Sequence, residues 1–535
     1  MRPLSEGEQS RGASMSPILS RRSLVVGLGL GSMLGSVSSR EALAQAVFED
    51  NPFQLGVAAG DPLPDGFVIW TRLAPRPLEP DHGMPSQPMA VNWEVATDAG
   101  FGTVIRSGEV VARPELGHAV HVEVGGLEPG RPYFYRFIAG RERSGVGRAK
   151  TMPVAGAALD RVKFGILGCQ AYESGYYTAH RKIAAEDLDF IYCYGDYIYE
   201  GRGNRIYGST NPQENLRTHI GGEVYTVTDY RQRYAQYKMD TDLQASHASA
   251  AWFTVWDDHE IDNNWVTDMD QDGTDPAVFA LRQAAAMQAY YEHMPLRRSS
   301  FPRGSAMQLY RRAVYGDLLD LNLLDTRQFR TDQPCNDRFN SSCDGINDRN
   351  AQVLGEAQEA WLLNNLNRSE ATWKALAQQI MVMDLDRNPG EDYGVNTDSW
   401  AGYRVPRERL LRHIRDRRIA NTVVLTGDEH QNYAGELYLD GRNPEGEPIA
   451  TEFVSTSISS GGDGQDQRAD QAEFLSANPQ LKFRNSQRGY VLCDVTPDRW
   501  QTEFKVLDQV QNRNGVLSTR QTMVVERGSA RLQTA

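Results

Sequence analysis

Residues 190–200 read FIYCYGDYIYE, and this stretch decides the fold class that the sequence predicts. Its first five residues form a short apolar and aromatic run, which is typical of a strand buried on both faces of a layered α/β domain. Gly195 ends the run, because glycine lets the backbone turn sharply where a strand leaves its sheet. Asp196 and Tyr199 follow at the carboxyl edge, where open α/β sheets keep their ligands. The stretch therefore predicts a strand that delivers a carboxylate and a phenol to a site, with a solvated turn as the alternative.

The sequence on either side of this strand predicts two kinds of domain. Residues 53–153 contain short alternating runs separated by turn residues, and the GLEPG turn before Tyr133 and Tyr135 resembles the end of a fibronectin type III sandwich. After residue 161, apolar strands alternate with helical segments, which indicates β-loop-α-β units. We therefore expect an α/β (α+β) layered sandwich of mixed sheets flanked by helices, preceded by a fibronectin III-like β-sandwich. The predicted division is a signal at residues 1–46, the β-sandwich at 47–155 and a catalytic domain at 156–535.

Composition and charge limit the possible partners. The chain has 535 residues, of which 40% are hydrophobic and 24% charged, as in soluble globular proteins. Its formal net charge of −14 argues against nucleic acid or anionic membrane as a bulk partner. A phosphorylated substrate is compatible with this charge if bound cations supply the positive potential.

The N-terminal residues have the pattern of an export signal. Arg21 and Arg22 precede a weakly apolar, glycine-rich run at residues 25–37, and an Ala-Leu-Ala sequence at residues 42–44 offers a cleavage site. This pattern resembles a twin-arginine signal peptide, which implies the Tat translocase as a partner during export and a periplasmic or secreted protein. The apolar run is too short and too rich in glycine and serine to span a membrane, so we expect no anchor after cleavage.

The five cysteines fall into three classes. Cys335 and Cys343 flank a polar segment and either close a small disulfide loop in an oxidising compartment or stay free. Cys193 and Cys493 lie in apolar runs and are expected to be core residues. Cys169 follows a predicted buried strand and is a candidate metal ligand.

Side chains that can bind metals follow four predicted strands. Thiolate, phenolate and imidazole groups suit a transition ion, and carboxylates suit a hard divalent ion. Independent turns would rarely bring such groups to the same sheet edge four times, so the repetition itself favours a site. The candidates in chain order are Cys169, Asp196 with Tyr199, Asp258 with His259, and Asp428 with His430.

These motifs resemble the blocks of the metallophosphatase superfamily. The matching segments are G-D-x-x-Y at residues 195–199, D-H-E at 258–260 and G-D-x-H at 427–430. The chain departs from the usual blocks, because Cys169 stands in place of an aspartate and Asp428 in place of a histidine. Asp258 likewise replaces an asparagine.

With these departures from the usual blocks, the chain resembles one branch of the superfamily, the alkaline phosphatase D (PhoD) family. Three longer segments support this resemblance, which covers nearly the whole chain: WDDHEIDNNW at residues 256–265, LLDTRQFR at 323–330 and FVSTSISSGG at 453–462.

The resemblance implies two adjacent metal positions. Cys169, Tyr199 and His430 would ligate Fe³⁺, with Asp196 bridging to Ca²⁺. Asp258 and Asp428 would complete the calcium shell, with Asn264 as a further candidate. Mn²⁺ or Zn²⁺ on the same ligands remain alternatives, because the choice of metals rests on the resemblance more than on ligand chemistry.

Three further residues are candidates for contact with the substrate. The resemblance makes His259 a donor either to phosphate or to the leaving oxygen, and both roles stay open. Arg327 and Arg330 follow a strand end at Asp325 and would form a fork that holds phosphate oxygens. The alternative is a structural pairing of these arginines with Asp325 or Asp332.

The resemblance implies an exported alkaline phosphatase that hydrolyses phosphomonoesters and phosphodiesters at a mixed iron and calcium site and releases inorganic phosphate. Small phosphoesters are the expected substrates. One alternative is a phosphodiesterase or phospholipase D-type enzyme of the same fold. Another is a binding protein with a structural metal, although such a site would be closed by a simpler ligand set. The natural substrate, the oligomeric state and a role for the segment after Val506 in covering the site stay open.

Overall fold

The computed structural model describes residues 48–203, 216–390, 392–441 and 443–535. The predicted signal at residues 1–46 lies outside these ranges. Within them the strands form three sheets, of ten, seven and five strands. No helix in the described parts of the chain is long and apolar enough to cross a membrane. The mixed α/β class predicted from the sequence is confirmed.

The N-terminal part is built from antiparallel strands that face each other in two layers. Its strands are β1 (Val57–Leu63), β2 (Gly66–Arg72), β3 (Met89–Ala96), β4 (Val104–Ala112), β5 (Ala119–Val124), β6 (Pro132–Ala139), β7 (Glu142–Arg143) and β8 (Gly147–Lys150). Strands β3, β4, β6, β7 and β8 form the five-stranded sheet, and β1, β2 and β5 face it across a buried cluster that includes Phe67 and Tyr135.

The ten-stranded sheet joins this N-terminal layer to the rest of the molecule. Its other strands are β9 (Val162–Leu167), β10 (Phe190–Cys193), β11 (Ala251–Thr254), β19 (Gly489–Val495), β20 (Arg499–Leu507), β21 (Leu517–Glu526) and β22 (Leu532–Thr534). The order is β22-β21-β20-β19-β9-β10-β11-β1-β2-β5. Strand β1 pairs in parallel with β11, placing Ala59 opposite Ala251. The two domains predicted to meet at residue 155 therefore share one sheet, and the N-terminal part is not a free-standing sandwich.

The seven-stranded sheet packs against the central part of the ten-stranded sheet. Its strands are β12 (Arg311–Tyr315), β13 (Leu319–Leu323), β14 (Trp373–Ala377), β15 (Thr422–Thr426), β16 (Asn432–Leu437), β17 (Ala450–Val454) and β18 (Leu481–Asn485). Strands β13, β14, β15 and β17 are parallel. The aromatic rings of Phe164 and Phe190 stack with centroids 4.5 Å apart, and they share a buried cluster with Leu321 and Phe453 of the facing sheet.

Helices cover the outer faces of both large sheets. They are α1 (Thr178–Ile183), α2 (Val227–Lys238), α3 (Thr241–Ser249), α4 (Pro276–His293), α5 (Gly355–Arg368), α6 (Arg404–Asp416) and α7 (Gln471–Ala477). Helices α1 to α4 pack on the ten-stranded sheet, where Ile183 and Met287 join the cluster of Trp252. Helices α5 to α7 pack on the seven-stranded sheet. The layers therefore bury the strands on both faces, as the apolar run at residues 190–194 predicts.

Two cysteine predictions and the C-terminal segment are resolved by the structure. Cys335 and Cys343 form a disulfide with Cα atoms 5.8 Å apart. Cys169, Cys193 and Cys493 are free and buried. Beyond Val506 the chain finishes β20 and adds β21 and β22 to the edge of the ten-stranded sheet.

Candidate functional site

Four strand ends bring the predicted ligands to one place between the two large sheets. Cys169 follows β9, Asp196 follows β10, Asp258 follows β11, and Asp428 and His430 follow β15. Cys169, Asp196, Asp428 and His430 all have positive φ angles, between 49° and 64°. Such left-handed conformations are unfavourable for residues other than glycine and cluster at functional sites.

The ligand atoms form three overlapping groups. Cys169, Asp196 and His430 make one, Asp196, Asp258 and His259 a second, and Asp257, Asp258 and Asp428 a third, with the atoms of each group within 4.8 Å of one another. Asp196 and Asp258 each belong to two groups, so the three are one continuous cluster. The hydroxyl of Tyr199 joins it, lying 2.8 Å from Asp196 Oδ2 and 3.2 Å from His430 Nε2.

The surroundings of the Asp196 carboxylate show that these residues fit a cation. Its side chain is buried, and no hydrogen-bond donor in the described residues reaches its Oδ1 atom. Burial, together with the neighbouring Asp258 carboxylate, raises the pKa of Asp196 to about 7. Adjacent buried carboxylates need a shared proton or a cation. The carboxylate, thiol, phenol and imidazole around this atom are metal ligands, so the residues fit a metal.

The Cys169 thiol and the Asp428 carboxyl also need nearby positive charge to be stable as anions. Burial raises the pKa of the Cys169 thiol well above its usual value, and the Asp196 carboxylate raises it further. Burial also raises the pKa of Asp428, against the opposing effect of Arg327. Each group is therefore unfavourable as an anion unless positive charge is supplied, which a bound cation does.

The carboxylate of Glu200, which the sequence analysis did not predict, holds the side chain of His259. Glu200 Oε2 lies 2.7 Å from His259 Nδ1, and the His259 ring lies against Tyr199 with centroids 4.1 Å apart. Burial favours the neutral ring, but Glu200, Asp258 and Asp196 outweigh it and raise the pKa of His259 well above its usual value. The Glu200 carboxylate therefore orients the His259 ring, and the donor role of this ring stays a prediction.

Glu260 ties two of the strand-end loops together. Its buried carboxylate accepts hydrogen bonds from the backbone N–H groups of Asp257, at 2.8 Å, and of Asp196, at 3.2 Å, and also from that of Tyr197. The side chain thereby holds the loop after β10 against the loop after β11. Its place directly after Asp258-His259 was the sequence signal for this role.

Arg327 and Arg330 occupy positions different from the predicted phosphate fork. Both side chains are fully buried, and both guanidinium groups bind the carboxylate of Asp398. Arg327 also binds Asp257. The guanidinium partners are therefore not the predicted Asp325 and Asp332, although the backbone N–H of Arg327 donates to Asp325 Oδ1 at 3.1 Å.

The guanidinium of Arg327 also supplies positive charge to the acidic cluster. Its Nη2 atom lies 3.5 Å from Asp428 Oδ1 and 3.8 Å from Asp258 Oδ1. These contacts are suited to holding acidic side chains in place, because a fully buried fork does not face a substrate. The sequence prediction is corrected in this respect.

Asn264 reaches the cluster through its backbone. Its N–H donates to Asp258 Oδ2 at 2.8 Å, while its side-chain Nδ2 donates to Asp337 Oδ2 at 2.8 Å. Asp337 lies on the disulfide loop between Cys335 and Cys343. The side chain of Asn264 therefore links that loop to the site.

A cavity of about 540 Å³ opens beside His430. Its walls are mostly polar, and Gly461 and Gly464 are also among the lining residues. The residues with charged or polar side chains around it are Glu429, His430, Gln431, Gln465, Arg468, Asp470, Ser486 and Arg488. The arrangement leads from solvent to one end of the ligand cluster.

Comparisons with known proteins identify the family to which the chain is similar. The family described as PhoD-like phosphatase matches residues 164–504, and the one described as its N-terminal domain matches residues 38–153. Alkaline phosphatase D of Bacillus subtilis (strain 168) is 45% identical over 510 residues, which is 95% of this chain and 87% of that protein. A solved structure titled "Structure of PhoD" superimposes with a TM-score of 0.89 at 45% identity, covering 91% of this chain and 93% of that one.

Proposed function

The chain belongs to the PhoD-like phosphatase family and is a phosphoric ester hydrolase, and we propose that the cluster around Asp196 is its catalytic centre. The observation that carries this proposal is the Oδ1 atom of Asp196, a buried carboxylate oxygen that no donor among the described residues reaches, at the junction of two ligand groups.

We propose that Cys169, Tyr199 and His430 hold Fe³⁺ and that Asp258 and Asp428 hold Ca²⁺, with Asp196 between the two positions. Thiolate and phenolate suit the ferric ion, and carboxylates suit calcium. Bound at these residues, such a pair supplies charge neutralisation of the phosphoester and activation of an oxygen nucleophile.

The protein's own groups position and protonate the substrate in this proposal. Glu200 accepts the Nδ1–H of His259, which leaves Nε2 as the atom that donates to the ester. That donor serves a non-bridging phosphoryl oxygen or the leaving oxygen. Arg327 and Arg330 hold Asp257 and Asp398 and thereby keep the acidic loops in register.

Phosphomonoesters and phosphodiesters are the substrates that we propose, hydrolysed at alkaline pH. The name of the Bacillus relative, alkaline phosphatase D, supports the monoester activity. A preference for diesters, as in a phospholipase D-type enzyme, is the second candidate. The ratio of the rates of monoester and diester hydrolysis separates the two candidates. Export through the twin-arginine pathway to the periplasm or beyond is part of the same proposal, and replacement of Arg21 and Arg22 by lysine tests it.

Elemental analysis of the mature protein, paired with hydrolysis of a chromogenic monoester and diester with and without calcium, tests the proposal. We expect iron near equimolar with the chain and calcium-dependent turnover. Cys169→Ala should lose both iron and turnover, whereas Cys493→Ala, at another buried free cysteine, should keep both. Unchanged iron in Cys169→Ala would remove this residue from the site.

A further inference from the structure

We propose that Ser460 is a positioning residue that links two predicted metal ligands, Cys169 and Tyr199, and tunes the phenolate of Tyr199. This inference rests on the proposed function, because it concerns the same metal position. Ser460 follows β17 in the segment FVSTSISSGG at residues 453–462, and its side chain is fully buried. The sequence pattern alone assigned no role to it.

The hydroxyl of Ser460 contacts both ligand residues. Its Oγ donates to the carbonyl oxygen of Cys169 at 2.7 Å and accepts from the N–H of Ala171 at 3.0 Å. The same atom lies 2.7 Å from the hydroxyl oxygen of Tyr199. A serine hydroxyl has one proton and two acceptor positions, so these three neighbours use its whole capacity.

The contact with Cys169 supports an unfavourable backbone conformation. Cys169 has a φ of 49°, in the left-handed region that disfavours a side chain. Its carbonyl oxygen accepts from the hydroxyl of Ser460 and also from the backbone N–H of Ser460 at 3.3 Å. The serine segment therefore holds the backbone that turns the thiol toward Asp196 and His430.

The hydrogen bond between Ser460 and Tyr199 exchanges its donor and acceptor when the phenol of Tyr199 becomes a metal ligand. A neutral phenol donates its proton, either to Ser460 or to Asp196 Oδ2 at 2.8 Å. A phenolate only accepts, so the hydroxyl of Ser460 turns its proton from the Cys169 carbonyl to the Tyr199 oxygen. The backbone N–H of Ser460 still serves that carbonyl. Ser460 thus stabilises the phenolate and couples its ligation to the loop that bears Cys169.

Ser460→Ala, with Ser459→Ala as the matched control, tests this role. Ser459 is equally buried and lies in the same segment, but its hydroxyl donates to the carbonyl of Ala171 at 2.9 Å. Loss of a hydrogen bond raises the energy of phenolate electrons. We therefore expect the phenolate-to-iron absorption band of Ser460→Ala to move to longer wavelength, with iron retention against a chelator about tenfold weaker. Ser459→Ala should match the wild type, and Ser460→Thr should restore the band.

The outcomes separate this inference from the proposed function. A wild-type band and wild-type iron retention in Ser460→Ala would overturn the role of Ser460 and leave the iron site standing. Equal loss of thermal stability in both serine variants, with an unmoved band, would also overturn it. A wild-type protein without iron and without the band would refute the proposed iron position and this inference with it.

A second measurement decides the case in which Ser460→Ala does not fold. Resonance Raman spectra of the wild-type protein in H₂O and D₂O report on exchangeable hydrogen bonds to the phenolate. A solvent-isotope shift of the phenolate C–O stretch supports the contact, and its absence contradicts the contact.

Discussion

Replacement of Glu200 by glutamine should separate the positioning of His259 from the metal site itself. Glu200 and His259 are both buried and their bonded atoms are 2.7 Å apart, so solvent screens this pair very little. Glutamine keeps the shape of the side chain but loses its charge.

The expected loss follows from the strength of a hydrogen bond to a charged group, about 1.5–3 kcal/mol. Because His259 contributes to the transition state through this orientation, kcat/KM should fall by a factor of about 10 to 150. The fall should lie mainly in kcat, and iron content should stay at the wild-type level. Steady-state hydrolysis of a chromogenic phosphomonoester at saturating calcium measures both constants.

Glu173→Gln is the matched control, because Glu173 is as buried as Glu200 and lies 3.7 Å from His219, a histidine that is not among the predicted ligands. Turnover by Glu200→Gln equal to that of Glu173→Gln would refute the role of the Glu200–His259 pair. A series of esters then assigns the donor role. If His259 protonates the leaving oxygen, the variant loses more activity on alkyl esters than on nitrophenyl esters, and an equal loss on both places the donor at a phosphoryl oxygen.

Three further perturbations test the metal positions and the buried charges. Asp428→Asn should raise the calcium concentration needed for half-maximal turnover by at least about tenfold while iron content changes little, and an unchanged calcium titration would contradict the assignment of the second position. Arg327→Met should lower the free energy of unfolding by about 3–5 kcal/mol in urea, because it leaves Asp257 and Asp398 as buried charges without this partner. The control is Arg412→Met, which removes an exposed arginine that pairs with Glu408 and should lower the free energy of unfolding by less than about 1 kcal/mol. Equal losses in the Arg327 and Arg412 variants would count against the stabilising role of the buried pairs. Lys238 is fully buried, and burial lowers its pKa from 10.5 to about 7. Between pH 7 and 10 the unfolded chain therefore binds more protons than the native one. The free energy of unfolding then rises with pH, by up to about 1.4 kcal/mol per pH unit. Lys238→Met should remove this rise between pH 7.5 and 9.5 in urea melts, and identical slopes in the two proteins would show that Lys238 does not titrate as described.

Local pattern was sufficient to predict the four strands that precede the candidate ligands, β9, β10, β11 and β15, and the residues that follow them. The apolar run at residues 190–194 contains β10 (Phe190–Cys193), because a strand buried on both faces must be apolar along its length. Glycine and aspartate at its end mark the turn at the sheet edge. Cys169, Asp196 and Asp258 could be proposed as neighbours because the parallel strands β9, β10 and β11 end at one edge of the ten-stranded sheet. Asp428 follows β15 of the seven-stranded sheet, so it joins them through the packing of the two sheets and not through a shared edge. The predicted PhoD resemblance is confirmed by the family comparison.

The partners of those residues were decided only by the tertiary structure. Ser460 is 261 residues from Tyr199 in sequence, and Asp257 is 70 residues from Arg327. The pairing of β1 with β11, through which the two predicted domains share the ten-stranded sheet, is also remote in sequence. Periodicity reports which face of an element is apolar, but a hydrogen bond depends on where two elements lie relative to each other. The sequence therefore determined which groups reach the sheet edge, and packing determined which groups orient, neutralise and connect them.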